Sequence, residues 1–302
     1  MVEERRKEME PGEEESLEGG SWSRSASLRL SALYQHKLAV FGALVIILTG
    51  LTAIFAPYLA PHDPLEMNFN QQLASPSWNY PFGTDYQGRC VFSRVLYGSR
   101  IALAICFLLV GIQAGIGVPI GLIAGYAGGK TDEFLMRFTD MVWSLPPLVL
   151  ALAFVMILGA GIVNVIIALS IVSWAQFARV TRSKVQSIKN EEFVEAARAA
   201  GDSNLGILWH EILPNVLAPN IVLATLALPT ALLQASAMSF LGFGAQPPTP
   251  EWGAILSAGR EYLRVAPWIA SFPGLAIMIV VLAFNFLGDG LRDAFDPKLR
   301  RG

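Results

Sequence analysis

The chain has 302 residues, of which 53% are hydrophobic and 15% are charged, and its mean hydropathy is +0.48. An ordinary soluble domain of this size is less apolar, so the composition favours a membrane protein. The net charge of −2 carries no information about partners, and Cys90, Cys106 and three scattered His residues support neither a disulfide framework nor a metal site.

Residues 1–30 are acidic and polar, and they are predicted to form a disordered tail. This stretch lacks the apolar core and the cleavage site of a signal peptide. We therefore expect the first membrane span to be an uncleaved anchor.

The membrane spans are predicted from long windows without Asp, Glu, Lys or Arg. A charge in the middle of a bilayer costs about 3 kcal/mol, and a spanning helix needs about 20 residues. The window 141–178 is long enough for two spans separated by "LGAGIVN" (158–164), whereas the window 212–250 ends in the Gly- and Pro-rich "GFGAQPPTP" and holds one. Six spans are thus predicted, at about 38–57, 101–127, 139–159, 162–179, 216–241 and 266–288.

The orientation of the spans follows from the distribution of Lys and Arg. With both termini inside, the inner segments hold most basic residues, and the largest of them, about 180–214, is the most basic. The outer segments are then about 58–100 and 242–265, and the latter contains "GAQPPTPEWG", either a rigid loop or a docking surface for an external protein. The predicted fold is an all-α membrane protein with six transmembrane helices, N-in and C-in.

The stretch "GLIAGYAGGKTDEF" (121–134) satisfies the loosest form of a nucleotide-binding P-loop pattern. A P-loop needs a preceding strand, whereas Gly117, Gly121, Gly125 and Gly129 recur every four residues at the end of a predicted span. Small residues at this spacing let membrane helices approach closely. The pattern therefore indicates helix packing and not ATP binding.

The inner stretch "NEEFVEAARAAGDSNLGILWHEILPN" (190–215) predicts two short helices that meet at a bend. Gly201 can supply a left-handed stop, Asp202 or Ser203 can cap the second helix, and that helix presents Leu205, Leu208, Trp209 and Ile212. An amphipathic connector lying on the membrane fits these residues. A DNA-binding helix-turn-helix is disfavoured by the apolar second helix and the adjacent spans, so no nucleic-acid partner is expected.

Several motifs resemble a known family. Glu195-Ala196-Ala197, Gly201 and Ile212-Leu213-Pro214 resemble the EAA signature of permease subunits of bacterial ABC importers. Three further stretches resemble the dipeptide, oligopeptide, glutathione and nickel branch, and most closely the second permease of peptide importers: "FGTDYQGRCVFSRVLYGSR" (82–100), "SFLGFGAQPPTPEWGAIL" (239–256) and "FPGLAIMIVVLAFNFLGDGLRDAFDPKLR" (272–300). The branch usually has Asp at the position of Cys90. The resemblance implies that residues 31–302 form one ABC importer transmembrane domain.

The resemblance implies a non-catalytic permease subunit in the bacterial cytoplasmic membrane that translocates di- or oligopeptides by alternating access, with glutathione or nickel chelates as alternatives. It implies a second homologous permease, two cytoplasmic ATPases that bind ATP and magnesium, an extracytoplasmic binding protein and the lipid bilayer as partners, and no cofactor in this chain. Residues 190–214, between spans 4 and 5, would be the coupling-helix pair that seats on an ATPase. The expected coupling residues are Glu195, Ala196, Ala197, Gly201, Leu205, Leu208 and Trp209.

Two other function classes stay open at this point. A secondary transporter normally has an ionisable residue within the membrane, which the charge-free windows lack, although a sodium site made of carbonyl groups is compatible with them. A membrane-embedded enzyme needs a nucleophile with its base or a metal cluster, and no such group stands out.

Polar residues within spans are candidates for lining a translocation path, with interhelical hydrogen bonding as the alternative role. They are Gln113, Asn164, Gln176, Thr225, Gln234 and Asn285. Pro146-Pro147 and Pro229 are expected to bend their spans.

Overall fold

The computed structural model describes residues 36–295, and the regular secondary structure within this range is helical apart from one isolated β-bridge between Thr84 and Cys90. The predicted acidic tail, 1–30, lies outside the described residues. The helices are α1 Lys37–Leu59, α2 Val91–Ala127, α3 Gly129–Trp143, α4 Pro147–Leu158, α5 Ile162–Ser173, α6 Ala175–Ile188, α7 Glu192–Ala199, α8 Asn204–Gly206, α9 Leu213–Phe240, α10 Trp252–Gly259 and α11 Trp268–Phe295. A π-helical turn, Ile207–Ile212, joins α8 to α9.

Five helical runs are long and apolar enough to cross a membrane: Lys37–Leu59, Val91–Ala127, Ile162–Ile188, Asn204–Phe240 and Trp268–Phe295. Each includes a predicted span or most of one, and the helices continue into polar residues beyond the charge-free windows. The count reaches six when α3 and α4 are taken together as one broken span.

The sequence-based prediction differs from the structure at 139–159. Helices α3 and α4 are bent by 83° relative to each other, so this stretch is not one straight span. The bend lies at Pro146-Pro147, where the proline ring at the start of α4 cannot continue a preceding helix. Pro229 behaves otherwise, because α9 runs through it without a break.

Helix α2 packs along α6 through three of the four glycines singled out in the sequence. A Cβ atom at Gly117, Gly121 or Gly125 would lie 2.4–2.6 Å from atoms of the segment Trp174–Val185. The prediction is wrong for Gly129, which follows the end of α2, has a φ of 53° and has open space where a Cβ would be. "GLIAGYA" is therefore the last part of a helix, and the 37 residues of α2, not a strand, lead to Lys130.

The first and last spans also pack closely, since a Cβ at Gly42 of α1 would lie 2.5 Å from the carbonyl oxygen of Ala283 in α11. The main apolar core joins α2, α9, α10 and α11, with Leu109, Leu232 and Phe284 fully buried within it. Helix α10 is fixed to α2 by a hydrogen bond of 2.9 Å from the Trp252 indole to the carbonyl oxygen of Val95.

The segment between α1 and α2 is ordered by polar contacts. The buried Asp85 accepts a 2.7 Å bond from the Arg89 guanidinium, and the Trp268 indole donates to the carbonyl oxygen of Thr84 at 3.0 Å. Cys90 stands at the N-cap of α2, and its side chain makes no capping bond. An Asp at this position could cap the helix.

Candidate functional site

Residues 190–214, the segment that the resemblance assigns to coupling and that we call the coupling segment, have a backbone bend at Gly201. This residue has a φ of 91°, which an L side chain rarely adopts, and its N–H donates to the carbonyl oxygen of Arg198 at 3.1 Å. Of the two predicted caps it is Ser203 that acts, because its hydroxyl accepts the Gly206 N–H at 3.1 Å. Helix α7 and the following turn are thereby held at a fixed angle.

One side of the coupling segment is buried against the ends of α6 and α9. Val194, Ile207 and Ile212 are fully buried there, in a cluster that contains Val185 and Val216. We call this buried cluster the anchor. Ile212 is therefore part of the anchor and not part of the exposed face. A spacing of five residues brings Ile207 and Ile212 to the same side because the intervening turn is π-helical; sequence periodicity at the ordinary helical spacing missed Ile207.

The opposite side of the coupling segment is exposed and largely apolar. Leu205 and Trp209 are 69% and 65% exposed, and Phe193 is 38% exposed. Glu195 and Ala196 are exposed on α7, whereas Ala197 and Leu208 are half-buried against the anchor. We call Phe193, Glu195, Ala196, Leu205 and Trp209 the coupling surface.

The coupling segment is tied to the spans by side-chain hydrogen bonds. The Tyr126 hydroxyl at the end of α2 donates to the Asn204 side-chain oxygen at 2.9 Å. Lys189, which follows α6, donates to the carbonyl oxygen of Gly125 at 3.1 Å. A force on the coupling surface would therefore reach α2 and α6 directly, and α9 through the continuous backbone.

Two ion pairs hold α3 against α6. Arg182 binds both carboxylate oxygens of Asp132, with 2.6 Å between Nη2 and Oδ2, and Gln186 donates to the same carboxylate at 3.2 Å. One turn earlier, Arg179 lies 2.5 Å from Asp140 and 4.3 Å above the centre of the Trp143 ring. These contacts fix the position of α3 relative to α6.

A cavity of about 270 Å³ lies among α2, α4, α6, α9 and the ends of α3 and α5. Three of the predicted path residues, Gln113, Gln176 and Gln234, line it. The other lining residues are Trp143, Pro147, Val172, Ser173, Ala175, Leu223, Leu226, Ala227, Thr230 and Ala231. The lining contains no Asp, Glu, Lys, Arg or His side chain.

The other three predicted path residues do not line this cavity. Each bonds a carbonyl oxygen close to it in the chain: Asn164 bonds those of Leu158 and Gly159, Thr225 that of Ile221, and Asn285 that of Val281. The sequence analysis missed Ser173 and Thr230. The available signals were that Ser173 lies at the end of a helix and that Thr230 follows Pro229. Across 36–295, no group of three or more His, Cys, Asp or Glu side chains could hold a metal ion.

Comparison with known proteins identifies this architecture. Residues 117–301 match the family described as the inner membrane component of binding-protein-dependent transport systems, and residues 27–76 match the N-terminal transmembrane domain of oligopeptide transport permease C.

Curated relatives match along most of their length. The dipeptide transport system permease protein DppC of Alkalihalophilus pseudofirmus is 47% identical over 89% of this chain and 88% of the relative. The di/tripeptide permease DppC of Pseudomonas aeruginosa is 44% identical, over 88% and 89%. The glutathione permease GsiD of Escherichia coli is 46% identical, over 88% of each.

A solved structure agrees with the fold. The inward-facing MetNI methionine ABC transporter matches with a TM-score of 0.55 and 21% identity, over 68% of this chain and 98% of that chain.

Proposed function

Because the chain belongs to the family of inner membrane components of binding-protein-dependent transport systems, as a multi-pass permease subunit of an ABC importer, we propose that it forms part of the passage for peptides across the bacterial cytoplasmic membrane. Relatives named as dipeptide, di/tripeptide and glutathione permeases support a peptide as the substrate. Glutathione is itself a small peptide, so it stays within the proposed class as an alternative substrate.

The observation that carries the proposal is the two-sided coupling segment. Its buried side fixes it to α6 and α9, whereas its exposed side leaves Leu205 and Trp209 without a cover in the single chain. An exposed apolar patch with a polar rim is typical of a protein interaction site. We assign this patch to a groove on a cytoplasmic ATPase subunit, with Glu195 in polar contact and Ala196 and Ala197 allowing close approach.

In the proposed mechanism, this subunit converts movement of the ATPases into movement of its spans. ATP and magnesium are bound by the two ATPase subunits, and this chain contributes no catalytic residue. A second permease closes the other half of the passage, and an extracytoplasmic binding protein delivers the peptide. The topology has both termini inside and six spans, with α3 and α4 forming one broken span.

The proposal is tested by purifying the tagged full-length chain from its native membrane in mild detergent, with wild type, Trp209→Ser and Trp78→Ser compared. Trp78 is fully exposed in the segment that we place outside, so it is the matched control for an exposed tryptophan. We expect ATPase subunits to co-purify with wild type and Trp78→Ser, and to be lost or strongly reduced with Trp209→Ser.

The purified importers are then reconstituted with the binding protein and assayed for uptake of a labelled dipeptide. Gly201→Val is expected to insert and assemble but to lose most ATP-driven uptake, since a β-branched residue resists a positive φ. Ala200→Val is the control, because Ala200 at the C-cap of α7 has a φ of −71°, and this variant should transport normally. ATPase capture unaffected by Trp209→Ser, or no dipeptide uptake by the wild-type importer, would contradict the proposal.

A further inference from the structure

The polar side chains around the cavity lack hydrogen-bond partners in the described part of the chain. Among residues 36–295, none of the five uncharged polar residues that line it makes a side-chain hydrogen bond: Gln113, Ser173, Gln176, Thr230 and Gln234. Gln113 is the most informative, because the residue is only 4% exposed, lines the cavity and makes no side-chain hydrogen bond among the described residues. An amide that is unpaired and lines a cavity is available to donate and accept hydrogen bonds with a ligand there.

The cavity gathers several unpaired groups, although the buried hydroxyls of Ser170 and Ser236 also lack a partner elsewhere among residues 36–295. A serine or threonine within a helix commonly bonds a carbonyl one turn back, as Thr49, Thr139 and Thr225 do here. Thr230 lies on the same helix as Thr225, and it leaves its hydroxyl free for the cavity. The unpaired groups thus come from three helices and from the end of α5, and they converge on one space.

The chemistry of the lining selects a class of ligand. Amide and hydroxyl groups both donate and accept hydrogen bonds, and the lining holds no charged side chain that would pair with a carboxylate or an ammonium group. A main-chain peptide group offers one N–H and one C=O, whatever the side chains beside it. These groups match each other, and the match does not depend on the sequence of the peptide.

We propose that Gln113, Ser173, Gln176, Thr230 and Gln234 form a subsite that binds the main-chain amide of a peptide during its passage. The cavity, at about 270 Å³, lies just below the range of about 300–1,000 Å³ for drug-sized ligands, so it accommodates a short peptide segment. This inference rests on the proposed function in one respect, which is that peptides reach the cavity.

The first test is dipeptide uptake by the reconstituted importer that carries Gln113→Leu or Thr230→Val. Both changes keep the approximate volume and remove the hydrogen-bonding groups. Each is expected to lower the maximal uptake rate about five-fold, the factor that corresponds to one net hydrogen bond. Thr225→Val is the matched control on α9, where the hydroxyl bonds its own helix, and should leave the rate unchanged.

The second test detects contact without relying on a rate. The native Cys90 and Cys106 are both buried, so a thiol introduced by Thr230→Cys can be labelled selectively with a small water-soluble reagent in the assembled importer. Dialanine, added with binding protein and ATP, should slow labelling at least three-fold, whereas free alanine should not. Thr225→Cys is the control and should show no dependence on dialanine.

The outcomes separate the two proposals. Wild-type importer that takes up no dipeptide refutes the proposed function. Normal uptake with no effect of Thr230→Val or Gln113→Leu, and no protection of Thr230→Cys by dialanine, overturns the subsite alone. If Thr230→Cys is labelled equally slowly with and without dialanine, the subsite is also overturned, because the second permease would then be covering this position.

Discussion

The contact between α2 and α6 yields the sharpest prediction about stability. A Cβ atom at Gly121 would lie 2.4 Å from the carbonyl oxygen of Ala178 and 2.6 Å from the Cβ of Thr181. Ordinary contact begins at 3.4 Å, so Gly121→Ala requires the two helices to separate by about 1 Å. Neither neighbour is the flexible end of a side chain, and therefore the backbone itself must move.

When a gap of about 1 Å opens between two surfaces, the atom pairs across it lose about a quarter to a half of their dispersion attraction. Overpacking of this kind costs about 1–3 kcal/mol. Taking about 2 kcal/mol, and about 2–4 °C for each kcal/mol in a chain of this size, we expect the midpoint of thermal unfolding to fall by about 4–8 °C. The measurement is the thermal unfolding of the purified permease in detergent, followed by intrinsic fluorescence.

Gly115→Ala is the control, because Gly115 is on the same helix and nothing lies within 4 Å of where its Cβ would be. Alanine is also the better helix former, so this variant should unfold at or slightly above the wild-type temperature. If Gly121→Ala and Gly115→Ala unfold at the same temperature, the glycine face does not hold the two helices together.

Two further predictions concern buried carboxyl groups, and both are measured by thermal unfolding in detergent. Asp132→Asn should destabilise the chain by about 1.5 kcal/mol, because it weakens charge-assisted bonds to Arg182. Asp140→Asn, which affects a more exposed pair, should cost about 0–1 kcal/mol, and equal losses would contradict the difference in burial. At the start of α10, burial raises the pKa of the Glu251 carboxyl above its ordinary 4.5. Ionising this buried carboxyl lowers the free energy of unfolding of the wild-type protein. The loss is absent below pH 4.5 and complete above the raised pKa, so Glu251→Gln should gain stability relative to wild type as the pH rises through that interval. A difference between the two proteins that does not change with pH would refute this.

The membrane helices were predictable from sequence because the cost of a charge in lipid is large and acts on every residue. Their ends were less predictable, since α2 and α11 extend past the charge-free windows on polar faces that pack against other parts of the chain. The break between α3 and α4 was signalled by Pro146-Pro147. Its angle of 83° depends on tertiary contacts, such as Arg179 with Asp140, that join distant parts of the sequence.

The candidate site was predictable in kind and less so in detail. The bend at Gly201 follows from local backbone chemistry, so the sequence sufficed for it. The anchoring role of Ile207 depends on a π-helical turn, which ordinary helical periodicity does not indicate. Polar residues in spans all look alike in sequence, and only their hydrogen bonds separate Gln113, which faces the cavity, from Asn285, which bonds its own helix.

The two parts of the candidate site share their helices. Helix α6 lines the cavity at Gln176 and reaches the anchor of the coupling segment at Val185, about 14 Å further along at 1.5 Å per residue. Helix α9 begins beside that anchor at Val216 and lines the cavity at Thr230, about 21 Å away. Displacing the coupling segment would therefore move two walls of the cavity.

The walls are not held with equal strength. The glycine face fixes α6 to α2 along several turns, so Gln113 and Gln176 should move as one unit. Helix α9 packs against α6 much less extensively than α2 does, and a 3.1 Å hydrogen bond joins the side chains of Thr181 and Asn220 there. A movement driven from the coupling surface is then expected to tilt α9 against the α2–α6 pair. We expect this tilt to change the distance between Gln113 and Gln234, and an increase would separate the groups that we assign to the peptide amide.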